Sequence, residues 1–120
     1  MATILIVDDD STMTSLLKTL LQLEDYDVML ASSKTGMLDA LQKQRPDVVL
    51  MDVFIGDADG LEILGELKGS GDHRLDMPVV MTSGMNLAQE CEAAGASAFL
   101  MKPYDPERLL SLIKHQLDGE

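Results

Sequence analysis

Two hydrophobic patterns alternate along the chain. Short, unbroken apolar runs bounded by turn-forming residues predict buried strands, whereas apolar residues that recur every three or four positions predict helices with one buried stripe. The central run is Val48-Val49-Leu50-Met51, and it ends in Asp52. Because a strand buried on both faces has no interior place for a charge, we expect Asp52 where this strand leaves the sheet. Strands are predicted at residues 3–8, 26–31, 48–52, 79–82 and 98–101.

Each predicted strand is followed by a segment with helical periodicity. Residues that favour the N-cap position precede three of these segments: Ser11, the pair Ser32-Ser33, and Asp105, which Pro106 follows at the first helical position. Apolar residues at i, i+3, i+4, i+7 and i+8 predict the buried stripe of the first helix. This stripe consists of Met13, Leu16, Leu17, Leu20 and Leu21.

Two glycine-rich segments are predicted to be loops. Residues 53–60 follow the central strand and lead into a short third helix, and residues 69–73 form a surface loop that includes His73. The fourth helix is predicted at roughly residues 86–94 and ends at Gly95. The inward positions of the third helix are predicted to be Leu61, Leu64 and Leu67.

Five strands that alternate with five helices predict an α/β fold. A parallel sheet with helices on both faces gives a doubly wound (βα)5 sandwich of three layers, with right-handed crossovers. A length of 120 residues is typical of one domain, so residues 1–120 are expected to form a single domain.

The amino-acid composition limits the binding partners and the cellular location that we expect for this chain. A formal net charge of −12 repels nucleic-acid backbones and anionic membranes, so neither is an expected partner of this segment. Cys91 is the only cysteine, which rules out an internal disulfide and favours a cytoplasmic location. No apolar run reaches the length of a membrane span, and the chain does not start with a signal-peptide pattern.

Charged and hydroxyl side chains stand at the ends of four predicted strands. In a doubly wound parallel sheet these ends share one edge, where ligands bind. The strand order 2-1-3-4-5 would place these four strands side by side and leave the uncharged end of the second strand at the margin. The residues concerned are Asp8 and Asp9, Asp52, Thr82 and Ser83, and Lys102.

Three carboxylates in one crevice require compensation. Two carboxylates about 4 Å apart repel by about 4 kcal/mol at an effective dielectric near 20, and Lys102 supplies only one positive charge. Magnesium prefers one or two carboxylates together with waters and a phosphoryl oxygen. We therefore predict a metal-dependent phosphoryl-transfer site in which Asp52 is the acceptor, and Thr82 and Lys102 bind phosphoryl oxygens.

Over essentially its whole length the chain resembles the receiver domain of bacterial two-component response regulators, the CheY-like group with a flavodoxin-like fold. Four motifs carry this resemblance. They are Ile-Leu-Ile-Val-Asp8-Asp9-Asp10, Val-Val-Leu-Met-Asp52 with Asp59-Gly60 at the family's spacing, Pro-Val-Val-Met-Thr82-Ser83, and Phe99-Leu-Met-Lys102-Pro103.

The resemblance implies a role for each acidic position. Asp52 is the expected acceptor of a phosphoryl group from a sensor histidine kinase or a histidine phosphotransfer protein. Mg²⁺, or Mn²⁺ in its place, is the expected cofactor. Its expected ligands are Asp9 directly, Asp8 through a water, Asp52, and the main-chain carbonyl of Phe54.

The resemblance also implies a switch and an output. Thr82 and Phe99 are expected to change position after phosphorylation, Lys102 to pair with the phosphoryl group, and the Lys102-Pro103 bond to be cis. The face formed by the fourth helix, the fifth strand and the last helix would then control an output domain or a partner, or form a homodimer. Such a receiver catalyses its own phosphorylation and dephosphorylation, without turnover of a small substrate.

One departure from the family lies in the loop after Asp52. Ile55-Gly56 stands where a Met-Pro pair is common, and glycine frees a backbone that proline would stiffen. We expect the metal site to be retained. The pattern is compatible with a stand-alone regulator and with one domain of a longer regulator or hybrid kinase.

Three alternatives remain at the level of the sequence. The run Asp8–Asp10 could serve only as a helix N-cap, where a carboxylate is favoured by the helix dipole. A flavin-binding electron carrier has the same layered fold, but it would need a phosphate-binding loop and aromatic residues, which form only 3% of this chain. A receiver-like domain that is never phosphorylated is the third, and the intact Asp52, Thr82 and Lys102 argue against it.

Overall fold

A five-stranded parallel sheet forms the centre of the protein. The structure, a computed structural model, describes residues 2–71 and 76–118, so residues 72 and 73 of the predicted surface loop, His73 included, lie outside the described residues. Along the chain the strands are β1 (Thr3–Val7), β2 (Asp27–Ala31), β3 (Val48–Asp52), β4 (Phe54–Ile55), β5 (Ala58–Asp59), β6 (Val79–Ser83) and β7 (Ala98–Met101). The sheet order β2-β1-β3-β6-β7 confirms the predicted order 2-1-3-4-5.

Helices cover both faces of this sheet. They are α1 (Ser11–Leu23), α2 (Lys34–Lys43), α3 (Gly60–Gly69), α4 (Ala88–Ala94) and α5 (Pro106–Asp118). None of the helices in the described part of the chain is long and apolar enough to cross a membrane. A five-stranded parallel sheet between two layers of helices confirms the predicted three-layer α/β fold.

Side chains on alternate positions of each strand point to opposite faces, so the sheet separates two hydrophobic cores. On one face Leu5 and Val7 pack under α2, α3 and α4, and we call this cluster the α2–α4 core. On the other face Ile4 and Ile6 pack under α1 and α5, and we call that cluster the α1/α5 core. Strands buried on both sides explain the unbroken apolar runs of the sequence.

The start and the buried face of α1 differ from the prediction. Asp10, and not Ser11, is the N-cap, because the Asp10 carboxylate accepts a hydrogen bond from the Met13 N–H at 3.0 Å. The buried face is centred on Thr14, Leu17 and Leu21, whereas Leu16 is 66% exposed. The buried face is thus rotated away from Leu16 and includes Thr14, a small hydroxyl residue.

The segment predicted as a loop at residues 53–60 contains an additional element. Strands β4 and β5 form an antiparallel hairpin in which Phe54 pairs with Asp59, and Ile55 pairs with Ala58. Gly56 begins its two-residue turn with a φ of +58°, a conformation that glycine adopts without steric cost. The loop prediction was wrong here because the pairing is too short to give a periodic pattern.

The ends of the other helices follow the predicted caps with one exception. Ser33 caps α2 through a hydrogen bond from the Gly36 N–H at 3.0 Å, and Gly95 ends α4 in the left-handed conformation. The Asp105 carboxylate accepts the Glu107 N–H at the start of α5. Helix α4 is shorter than predicted, because residues 86 and 87 lie in the turn that precedes it.

Gly60 is the point at which the hairpin and α3 meet the end of β3. Its N–H donates to the Val53 carbonyl oxygen at 2.6 Å. A Cβ atom at this position would collide with the Asp52 carbonyl oxygen and would lie 2.9 Å from the Val53 carbonyl oxygen. Since both obstacles are backbone atoms, any side chain at residue 60 must displace the end of β3.

We predict that Gly60→Ala lowers the free energy of unfolding by about 1–3 kcal/mol, because the new methyl group overpacks the end of β3. Gly65→Ala, in the same helix, is the control. No atom of the described residues lies within 4 Å of its added Cβ, so Gly65→Ala should raise stability by about 0.5–1 kcal/mol. Urea denaturation of both variants measures the difference, and a Gly60→Ala variant as stable as the wild type would contradict the close approach.

Candidate functional site

The predicted acidic residues lie at the carboxyl edge of the sheet. Asp52 is the last residue of β3, and Asp8 directly follows β1, its neighbour on one side. On the other side Thr82 of β6 stands opposite Asp52 in the register. The strand order therefore places Asp52 between the acidic end of β1 and the hydroxyl end of β6, as the sequence predicted.

Lys102 joins two of these carboxylates. Its Nζ atom lies 2.6 Å from Asp52 Oδ2 and 3.1 Å from Asp8 Oδ2. The side chains of Asp8 and Asp52 are 6% and 11% exposed, so their mutual repulsion is weakly screened by water. One ammonium group between two carboxylates relieves that repulsion and leaves one net negative charge among the three side chains.

The pKa of Lys102 reflects this position. Burial by itself lowers the pKa of the ammonium group, because the charged form loses solvent. Hydrogen bonds to Asp52 and Asp8, together with the charges of both carboxylates, outweigh burial and raise the pKa above its ordinary value. Lys102 is therefore a permanent cation at physiological pH.

Backbone N–H groups complete the environment of each carboxylate. Asp8 Oδ1 accepts from the Asp10 N–H at 3.0 Å, and Asp52 Oδ1 accepts from the Phe54 N–H at 3.1 Å. Asp9 Oδ2 accepts from the Gly56 N–H at 2.9 Å. These charge-assisted bonds fix the orientation of all three carboxylates, and for the buried Asp8 and Asp52 they also replace hydrogen bonds to water.

Sequence reasoning missed both hairpin donors. The donors at Phe54 and Gly56 are main-chain N–H groups, and the pattern of side chains in a sequence does not predict where such groups bind. The Phe54 side chain points outward and is 53% exposed, whereas Ile55 is buried and anchors the hairpin in the α2–α4 core. The one available signal was Gly56, a residue suited to a two-residue turn.

Hydroxyl and aromatic residues lie beside this cluster. Thr82 and Ser83 are buried at the end of β6, and the Ser83 oxygen accepts a hydrogen bond from the Met85 N–H. Phe99 of β7 is partly buried against the α2–α4 core and lies one strand further from Asp52. The predicted switch residues Thr82 and Phe99 thus occupy neighbouring strands.

Lys102 reaches the cluster from the turn after β7. Its N–H donates to the Ser83 carbonyl oxygen at 2.8 Å, and the Lys102–Pro103 bond is cis, as the resemblance implied. Tyr104 follows this bond and packs against the α1/α5 core. Burial raises the pKa of Tyr104 to about 12. The charge of Lys102 opposes the rise, and those of Asp8 and Asp52 add to it.

The side-chain donors at this edge of the sheet are carboxylate oxygens, which magnesium prefers as ligands. In the described residues no three acidic, histidine or cysteine side chains converge closely enough to form a metal site. Magnesium needs only one or two carboxylates, and it completes its shell with carbonyl and water oxygens. Asp8 and Asp52 are two such carboxylates, held together by Lys102, and both are hard oxygen donors. The chemistry of the donors therefore fits Mg²⁺, while Asp9 is directed to the hairpin.

Comparison with known proteins gives consistent matches. The family model of the response regulator receiver domain matches residues 4–114. The response regulator MprA of Mycobacterium tuberculosis is 35% identical over 114 residues, which are 92% of this chain and 48% of MprA. The chain thus spans about half the length of the curated relatives it matches.

Solved structures agree over nearly the whole length. The chemotaxis response regulator CheY4 of Vibrio cholerae has a TM-score of 0.87 and 30% identity, with 98% of this chain and 99% of that chain covered. The beryllofluoride-activated NtrC4 receiver domain dimer has a TM-score of 0.87 and 29% identity, with 99% and 98% covered.

We predict that the Tyr104 phenol ionises near pH 12. The chain has two tyrosines, so Tyr26→Phe isolates Tyr104 for titration by the ultraviolet absorbance of tyrosinate. Because an unfolded tyrosine ionises near pH 10, this group binds more protons in the folded than in the unfolded state between pH 10 and 12. Its contribution to stability should therefore fall as pH rises through that window, and Tyr104→Phe should remove this contribution. A midpoint near 10 in the Tyr26→Phe protein would contradict the buried position.

Proposed function

The chain belongs to the response regulator receiver family, and we therefore propose that it is a phospho-accepting signalling domain of a two-component system. The observation that carries the proposal is the contact of Lys102 Nζ with both Asp52 and Asp8 at the carboxyl edge of the sheet. A pre-placed cation beside one buried carboxylate suits a residue that must receive a phosphoryl group.

Asp52 is the proposed acceptor. In the transfer, the bond between phosphorus and the nitrogen of a donor phosphohistidine breaks, and a bond from phosphorus to an Asp52 carboxylate oxygen forms. The histidine nitrogen leaves with the electron pair and is then protonated. An Asp52 carboxylate oxygen is the proposed nucleophile, and the hydrogen bonds from Lys102 and from the Phe54 N–H fix the orientation of this carboxylate.

Charge neutralisation is the main task of the surrounding residues. We assign Lys102 to one phosphoryl oxygen, since its ammonium group already lies 2.6 Å from Asp52 Oδ2. The Thr82 hydroxyl is assigned to another, because Thr82 is the residue opposite Asp52 on the adjacent strand. Asp8, Asp9, Asp52 and the Phe54 carbonyl would hold a magnesium ion, which when bound supplies positive charge to the transferring group.

The proposed partner is a sensor histidine kinase or a histidine phosphotransfer protein. The same cluster would catalyse removal of the phosphoryl group by water, and we expect no turnover of a small substrate. The family match favours this assignment over a flavin-binding electron carrier, and the acidic crevice is unsuited to a flavin phosphate.

We predict that incubation with acetyl phosphate and Mg²⁺ adds about 80 Da, the mass of one phosphoryl group, to the wild type and nothing to Asp52→Asn. Intact-mass spectrometry reads the result. Asp39→Asn, which changes an exposed carboxylate on α2, is the matched control and should gain the same mass as the wild type. Equal labelling of Asp52→Asn, or no labelling of the wild type with Mg²⁺, would overturn the assignment of the acceptor.

The proposed output surface consists of α4, β7 and α5. Phe99 lines two grooves on this surface, one of about 370 Å³ beside Tyr104 and Arg108, and one of about 350 Å³ beside Glu92. A ring between two cavities has room to change its position. We propose that Thr82 moves toward a phosphoryl oxygen and that Phe99 then turns inward. The altered surface would bind an output domain, a partner or a second copy of the chain.

We predict that beryllofluoride, a phosphoryl mimic, in the presence of Mg²⁺ shifts the amide resonances of residues 83–108 more than those of the exposed face of α1. Light scattering of the same sample tests for a homodimer through this surface. Phe99→Ala should diminish the shifts in α4 while leaving the Asp52 resonance change in place, because it removes the ring and not the acceptor. Unchanged resonances over residues 83–108 in the wild type would contradict the proposed output surface.

A further inference from the structure

The hairpin of β4 and β5 contacts the acidic cluster at two points. At its base the Phe54 N–H donates to Asp52 Oδ1 at 3.1 Å. At its tip the Gly56 N–H donates to Asp9 Oδ2 at 2.9 Å, across 47 positions of sequence. This contact at the tip links the Asp9 carboxylate to a residue distant in sequence, and both Asp9 and Gly56 are exposed. The direction in which Asp9 points is therefore tied to the conformation of the hairpin.

Residue 56 must be a particular kind of residue to make this contact. A φ of +58° excludes proline, whose ring holds φ near −65°, and proline also has no N–H to donate. The N–H of this residue lies 2.9 Å from Asp9 Oδ2, in the segment that joins β1 to α1. Gly56 thus provides both the turn and the donor.

The geometry of the acidic residues gives this bond a consequence. Asp8 and Asp52 are brought together by Lys102, but no third acidic side chain in the described part of the chain joins them. Asp9 points instead to the hairpin tip. For the Asp9 carboxylate to become a cation ligand beside Asp8 and Asp52, it must leave the orientation in which the Gly56 N–H holds it.

We propose that the Gly56 N–H is a positioning group for Asp9, and that this N–H and a divalent cation are alternative partners of the Asp9 carboxylate. The inference rests on the metal-dependent function proposed above and deepens it. Cation binding then releases the hairpin tip while the base contact at Phe54 remains. The hairpin therefore differs between the cation-bound and cation-free protein, and its N–H weakens cation binding.

Magnesium titration of the ¹⁵N-labelled chain, without any phosphodonor, tests this. In the wild type, Mg²⁺ should shift the Phe54 amide resonance and, over the same concentration range, increase the solvent exchange of the Gly56 amide. In Asp9→Ala the Gly56 amide should exchange rapidly before any Mg²⁺ is added. These two observations need no change at residue 56 and remain informative if a variant there folds poorly.

Gly56→Pro removes the N–H and cannot keep the φ of +58°, so both the competing donor and the turn that presents it are lost. This variant should bind Mg²⁺ about three- to tenfold more tightly than the wild type, which is the range of one net hydrogen bond. Gly71→Pro is the matched control. Gly71 also has a positive φ, of 73°, and no described atom lies within 4 Å of a Cβ added there, so this substitution should leave the Mg²⁺ affinity unchanged.

The possible failures are distinguishable. If Mg²⁺ shifts the Phe54 resonance but leaves Gly56 exchange unchanged, the cation and the amide bind Asp9 together, and this inference alone is overturned. Equal or weaker Mg²⁺ binding by a folded Gly56→Pro variant would overturn it in the same way. If no resonance near Asp8, Asp52 or Phe54 responds to Mg²⁺, the inference fails together with the metal dependence, while Asp52 as acceptor is judged by its own mass measurement.

Discussion

The contact of Lys102 with Asp8 and Asp52 is the interaction on which the rest of the site depends. Two carboxylates that are each about nine-tenths buried cannot remain side by side without a counter-charge. The fold supplies that charge from β7, two strands away from β3, through the turn that follows it. An ion cluster of this kind contributes little net stability, but it requires the ends of β1, β3 and β7 to keep their relative positions.

The β4–β5 hairpin borders the site and is packed tightly at one end and exposed to solvent at the other. Gly60 packs against the Asp52 and Val53 carbonyl oxygens, so the point where the hairpin joins α3 cannot move far without displacing β3. Beyond the pairing of β4 with β5, the bond that holds the tip in the described part of the chain is that of the Gly56 N–H to Asp9, which is exposed to solvent. An isolated hydrogen bond that is exposed to solvent opens at a low cost in free energy. Separating two backbone segments that pack against each other costs more. The hairpin should therefore bend at its tip and keep its position at Gly60.

The sequence predicted the elements that depend on local patterns. Unbroken apolar runs gave the strands, and the charge at their ends gave Asp8, Asp52 and Lys102 as neighbours, because parallel strands share one carboxyl edge. It predicted less well where contacts distant in sequence decide the outcome. The rotation of α1 away from Leu16 depends on how the helix meets the sheet, and the hairpin depends on a bond across 47 positions. Hydrogen bonds donated by main-chain N–H groups are hard to predict from the pattern of side chains.

The two cores differ in a way that bears on how a change at Asp52 could spread. The fully buried methionines of the described residues, Met37, Met51, Met77 and Met81, all belong to the α2–α4 core. The α1/α5 core is built from branched aliphatic residues instead. Methionine side chains adapt to new shapes more readily than branched ones. Phe99 and the hairpin residue Ile55 both pack on the methionine-rich side, so that face of the sheet can accommodate a turned ring or a displaced hairpin, while the opposite face keeps α5 and Tyr104 in place.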